Sequence, residues 1–243
     1  MFLSNEILEK KTISIILLLS LTLHIIASFF SIGWYGADEQ SCVLEYLNSK
    51  NGFESNRCFY NYQNEDLITV QKIRSWFQPY IYFIISKITY PLHLFDGFKL
   101  TFILRLFSSI IGFWSLVFFY NNTKDHFKNH YAKKTYFFLT FLFWFFPFIH
   151  ARTSQESLSI SFLFFSLALY IQIHNNLNFK KYLLLGFLLT ITFILRYNLG
   201  IALFFIIVWD LFFTKKSIGS KILGYILILF SGSILLTIEL FIN

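Results

Sequence analysis

The chain has 243 residues, of which 56% are hydrophobic, 22% aromatic and only 14% charged. Soluble chains carry about 25% charged residues, and the mean hydropathy here is +0.59, so a soluble enzyme, a disordered tail and a secreted disulfide scaffold are excluded. Twenty Lys+Arg against thirteen Asp+Glu give a net charge of +7, which fits basic loops on the cytoplasmic face of a membrane.

In chain order, Thr12 to Trp34 reads as the first spanning helix, preceded by Glu9, Lys10 and Lys11. It is too long for a signal-peptide core and lacks a small-residue cleavage site, so a retained helix is expected. A polar stretch from Tyr35 to Ser75 follows and holds both cysteines, Cys42 and Cys58. They are free to pair in an oxidising compartment, but two cysteines establish no pairing. Apolar segments then run over 76–95, 100–120, 135–149, 157–173, 182–196, 198–213 and 222–242. Several hold about 15 residues and need interfacial aromatics to cross about 30 Å of hydrocarbon.

Segment 76–95 is the weakest span, because it contains Gln78, Pro79, Lys87, Pro91 and His93. Read as an interfacial helix within the outer loop 35–99, it leaves seven crossings. The lysine clusters at 10–11, 124–134, 180–181 and 215–221 then share the inner side. The expected architecture is an all-α, multi-pass membrane domain over 1–243. Its first transmembrane helix is 12–34, its outer loop 35–99, and its remaining helices lie in 100–243. The N-terminus is inside and the C-terminus outside.

All five arginines (Arg57, Arg74, Arg105, Arg152 and Arg196) fall on the outer side or in the outer half of a helix. Lysine inside is a topology signal, whereas fork-shaped guanidinium groups outside suit phosphate. Arg152 and Glu156 share a very short outer loop, and Arg196 interrupts a long apolar stretch. Ionisable groups at that depth suggest function, although Arg196 snorkelling to the interface and a local Arg152–Glu156 pair remain open.

Asp38 and Glu39 stand just beyond the first helix, with Glu45 seven residues after Asp38. Carboxylates beside an apolar surface can act as general bases; the alternative is a solvated helix exit. His24 reads as an interhelical hydrogen-bond partner, His150 as a weak acceptor contact, and Asp210 and Glu239 as capping or interfacial groups. No histidines stand at metal-ligand spacing with carboxylates, so no metal is expected. No nucleotide fingerprint or phosphate loop is present, and no basic patch with interleaved aromatics suggests nucleic acid.

The order of these blocks resembles the lipid-linked sugar transferases of the GT-C superfamily, most closely glycosyltransferase family 22, the mannosyltransferases of the GPI-anchor and N-glycan pathways. Gly36-Ala37-Asp38-Glu39 with Glu45 is similar to that family's acidic opening of the outer loop. Arg74-Ser75 followed by Pro79 looks like its interfacial block, and Ala151-Arg152-Thr153-Ser154-Gln155-Glu156-Ser157 partly matches a later outer loop. Arg196 looks like the arginine after the following helix pair. The sequence departs from the pattern where Gly-Ala replaces His-Pro and Glu156 replaces Asn.

The resemblance implies a GT-C-type bundle of about seven transmembrane helices with interfacial helices in the outer loop. It implies an inverting hexosyltransferase, with mannose the implied sugar, drawing on a polyprenyl- or dolichyl-phosphate sugar and needing no cofactor. Asp38 and Glu39 are the implied catalytic carboxylates; Glu45, Arg74, Arg152, Glu156 and Arg196 are the implied substrate-binding residues. The acceptor would be a glycolipid or glycan hydroxyl at the outer face of the endoplasmic reticulum or bacterial cytoplasmic membrane, among membrane lipids. The alternative is a non-catalytic transporter, flippase or subunit handling a lipid-linked saccharide.

Overall fold

The computed structural model describes residues 2–30, 43–44, 47, 51, 75, 77–92, 97–175, 178–213 and 218–242. Regular structure among them is helical throughout. Helix α1 runs Phe2–Phe30. It begins upstream of Thr12 because Glu6, Glu9, Lys10 and Lys11 are good helix formers, which a boundary drawn on apolarity overlooks.

Helix α2 runs Phe77–Thr89, and the Ser75 hydroxyl caps it by accepting the Phe77 N–H at 3.1 Å. Pro79 sits in the first turn, where its missing N–H costs nothing. The helix tightens into a 3-10 turn over Tyr90–Leu92, since Pro91 cannot donate the next α-helical bond. Thirteen residues give about 20 Å, short of the hydrocarbon thickness.

Helix α3 spans Gly97–Thr123. The apolar run 135–149, expected as one segment, is two helices: α4, His130–Leu142, and α5, Phe145–His150. Pro147 explains the break. Within a continuous helix its ring would clash with the Phe143 carbonyl and leave that carbonyl unbonded; Phe143 is instead extended, at φ −68° and ψ 115°.

Helix α6 covers Gln155–Asn175 and α7 Phe179–Leu195. Arg196 is extended, at φ −150° and ψ 99°, and separates α7 from α8, Tyr197–Phe213. Helix α9 is Ile218–Ile242. Segments of 20, 19 and 20 residues in α1, α6 and α9, and one of 29 residues that runs from α3 through a 3-10 turn to His126, are long and apolar enough to cross a membrane. The chain is therefore a membrane protein. Helices α7 and α8, at 17 residues each, stand at the lower limit for a span.

Helices α3 and α6 form the centre. Their apolar windows are 39% and 44% buried, against 22% for α1 and for α9. Helices α1, α4 and α5 pack on one side of this pair, and α7, with α8 and α9 against it, on the other. Helix α7 meets α9 through small residues. A Cβ on Gly186 would lie 2.4 Å from the Ile228 carbonyl oxygen, and one on Gly224 would lie 2.4 Å from the Tyr182 ring. Close approach of this kind suits helices without a hydrophobic drive to associate in lipid.

The bundle has two chemically different ends. Phe118, Ile173 and Tyr182 pack together where α3 and α6 finish and α7 starts; Lys124 and Lys128 in the α3–α4 connection, Lys133 and Lys134 near the start of α4, and Lys180 and Lys181 in the first turn of α7 belong to this end. At the other end Tyr82, Leu104, Leu158, Leu195 and Leu235 share one core. Helix α2 lies at this second end, beside the starts of α3 and α6 and the finishes of α7 and α9.

Candidate functional site

The second end is organised around the turn 151–154 between α5 and α6. Ser154 caps α6 by accepting the Ser157 N–H at 3.4 Å. Arg152 stands in this short turn, as its sequence position suggests, and is buried there at 6% exposure. Its guanidinium lies 4.7 Å from the centre of the Phe148 ring, a cation–π contact that holds the charge against an apolar wall. Leu23, Ile26, Ala27 and Phe30 of α1 line a cavity of about 400 Å³ with Leu142, Trp144, Pro147, Phe148 and Arg152.

Glu156 pairs with Arg196, a long-range pair that is neither the snorkelling Arg196 nor the local Arg152–Glu156 pair weighed from sequence. The carboxylate stands in the first turn of α6 and the guanidinium just past the end of α7. Each charge thus faces the favourable end of its helix dipole. The backbone joins in: Arg196 N–H donates to Thr192 O at 2.9 Å, and Arg196 O accepts the Leu199 and Gly200 N–H groups at 3.1 and 3.3 Å. Arg196 therefore ends one helix, starts the next and ties both to α6. Arg196 thus meets Glu156, four residues after Arg152, although 44 residues separate the two arginines in sequence.

Helix α2 buttresses the same turn. The fully buried Gln78 amide donates to Thr153 O at 2.7 Å and to the Tyr82 hydroxyl at 2.9 Å. Tyr82 reaches Ser108 of α3 at 2.6 Å. Gln155 donates to Ser75 O at 2.9 Å, and the Ser75 hydroxyl donates to Glu239 of α9 at 2.8 Å. Glu239 is thus a structural acceptor near a helix end, as its position in the sequence suggests.

Beneath the turn lies a pair of imidazoles. His24 Nδ1 faces Ser20 O at 2.8 Å; a carbonyl only accepts, so Nδ1 carries the proton. His24 Nε2 then accepts from His150 Nδ1, 3.1 Å away. His150 is buried and stacks against Phe146 with ring centroids 5.8 Å apart. Its carbonyl accepts the Ser157 hydroxyl at 3.1 Å. Gly112 makes room, since a Cβ there would lie 2.2 Å from His150 Cγ. The pair fastens α1 and α3 to the residue two before Arg152.

Asp38, Glu39, Glu45, Arg74, Arg57, Cys42 and Cys58 lie outside the described residues, as does the Asp210 side chain. Among the described residues the structure joins Glu156 to Arg196 and places Arg152 four residues before Glu156. It adds Ser75, Gln78, Tyr82 and Gln155, which sequence reasoning did not select. Gln78 carried a signal, a polar side chain inside an apolar helix, but one that counts there only against a span. Among the described residues no three His, Cys, Asp or Glu side chains gather as metal ligands.

No family model matches this sequence, and no curated protein or solved structure matches it significantly.

Proposed function

We propose that this chain is an inverting hexosyltransferase of the GT-C type, a bundle of about seven membrane helices with its site at the arginine-bearing end. It moves a hexose, mannose by the resemblance, from a polyprenyl- or dolichyl-phosphate to a glycolipid or glycan hydroxyl. The reaction takes place at the outer or lumenal face of a bacterial cytoplasmic or endoplasmic reticulum membrane. Asp38 takes the acceptor's proton as the acceptor oxygen attacks the anomeric carbon, and Glu39 and Glu45 orient the acceptor. The bond from that carbon to the phosphate oxygen breaks, and the lipid phosphate departs with the electron pair. Arg152, with Arg196 and Arg74, offsets the charge that grows on the phosphate.

The observation that supports this reading is the buried Arg152 beside an apolar cavity, four residues before Glu156, which pairs with Arg196. Cationic groups there cost desolvation and fit an anionic leaving group on a lipid. Membranes from cells expressing the chain, given radiolabelled polyprenyl-phosphate hexoses and a panel of glycolipid and glycan acceptors, should yield labelled product above control membranes. Lipid-linked sugar that changes leaflet without transfer would instead favour the transporter or flippase reading.

A further inference from the structure

At the lysine end of the bundle the charges stand on a fixed support. Residues 124–134 and 178–181 hold six lysines against one acid, Asp125, and Lys133 engages that acid at 3.3 Å. Tyr136 of α4 fastens the α3–α4 connection. Its hydroxyl bonds Thr123, and its ring stacks on Phe127 and Tyr120, with centroids 4.5 and 5.5 Å away. A 3-10 turn over Lys124–His126 and the Asn129 side chain, which accepts the Tyr131 N–H at 2.9 Å, restrict the segment further. Lys124 lies 6.0 Å from the centre of the Tyr120 ring, while Lys128, Lys134 and Lys180 are exposed.

Two observations put these charges at the level of lipid headgroups. The apolar segment of α3 runs out at His126 and that of α6 at Ile173, so the lysines begin where hydrocarbon gives way to water. Tyr131 and Phe179 stand beside them, 78% and 58% exposed, and exposed aromatic rings at the ends of spanning helices belong in the interface. A topology signal needs positive charge during insertion, but it does not need that charge held on a stacked and hydrogen-bonded connection afterwards.

We propose that the lysine end is a docking surface for anionic phospholipid headgroups, with the Lys124, Lys128, Lys134 and Lys180 ammonium groups on the phosphates and Tyr131 and Phe179 set between the lipids. Charge complementarity selects a net-negative headgroup over a zwitterionic one, and a cytoplasmic leaflet supplies it. The level of the lysines, with aromatic rings alongside, selects a lipid over a nucleic acid or an acidic protein in the water beyond. The surface lies at the opposite end from Arg152 and is independent of the transferase reading.

The test uses the full chain in proteoliposomes and chain-spin-labelled phosphatidylglycerol or phosphatidylcholine, with electron paramagnetic resonance measuring how strongly each lipid is held at the protein. One lysine near the surface strengthens association about fivefold, and only lipids at this end gain it. Averaged over the whole lipid shell, phosphatidylglycerol should therefore be preferred at least about twofold. The preference should shrink toward equality at about 1 M salt, where charges are screened within about 3 Å. Lys124→Gln, Lys128→Gln, Lys134→Gln and Lys180→Gln in combination should remove most of it, and arginine at the same four positions should keep it. Acetylating the lysines of the reconstituted wild type should have the effect of the glutamine variant without involving insertion or folding. Lys87→Gln with Lys99→Gln, at the other end, should leave most of the preference in place. Equal retention of the two lipids by the wild type, a preference that survives acetylation, or one lost through Lys87 and Lys99 instead overturns the proposal.

Discussion

His24 and His150 fasten the site at the level of single atoms. The two imidazoles share one hydrogen bond inside the bundle, and a glycine on a third helix gives them space. Gly112→Ala should therefore cost about 1–3 kcal/mol, because the new methyl meets the base of a locked ring rather than a flexible tip. Thermal unfolding in detergent measures it, and an unchanged midpoint would show that the ring can move aside. His24→Phe keeps the bulk and removes the bond, which in a membrane bundle averages about 0.6 kcal/mol and reaches about 1.7. Arg196→Gln leaves Glu156 half-buried without its guanidinium, a loss between those of exposed and buried pairs, about 1–2 kcal/mol. Adding Glu156→Gln to that variant should recover part of the loss, since the carboxylate then no longer needs its partner. A double variant as unstable as the sum of the singles would argue against the pair.

Among the helices, the contact of α7 with α9 depends on glycine. The Gly186 position faces backbone atoms of Ile228, which cannot swing away, so Gly186→Ala should destabilise by about 1–3 kcal/mol. Gly219 in α9 has nothing within 4 Å of an added Cβ, and alanine there should be neutral or stabilise by up to about 1 kcal/mol. Equal effects at the two positions, read from thermal unfolding, would contradict the packing. The same scale shows what a sequence discloses. Apolar runs of bilayer length were legible, as was the break at Arg196, because length and one interrupting charge are local properties. The division of 135–149 was missed although Pro147 was visible, because apolarity was read ahead of backbone chemistry. Gln78, Ser75 and Gln155 were not legible as partners. Their bonds run across 75 to 164 residues of sequence, and only the packing of α2 against α6 and α9 creates them.

At the scale of the whole molecule, six lysines gather where α3 meets α4 and α6 meets α7, whereas Arg152 and the Glu156–Arg196 pair stand at the opposite end with Lys87 and Lys99. A bundle inserted by the positive-inside bias puts the lysine end in the cytoplasm. In a protein whose two native cysteines are replaced by serine, single cysteines at Tyr90 and Lys128 should react with impermeant reagent from opposite sides. Reaction of both from the same side would overturn the topology. The central claim, hexose transfer with Asp38 as base, has a more direct test. Purified wild type and Asp38→Asn, reconstituted with a radiolabelled polyprenyl-phosphate hexose and the acceptor that the membrane assay identifies, should differ in turnover by about 10²–10⁴-fold. Their thermal unfolding should coincide. Equal turnover in the two proteins would take the base away from Asp38, and no turnover in either would contradict the transferase.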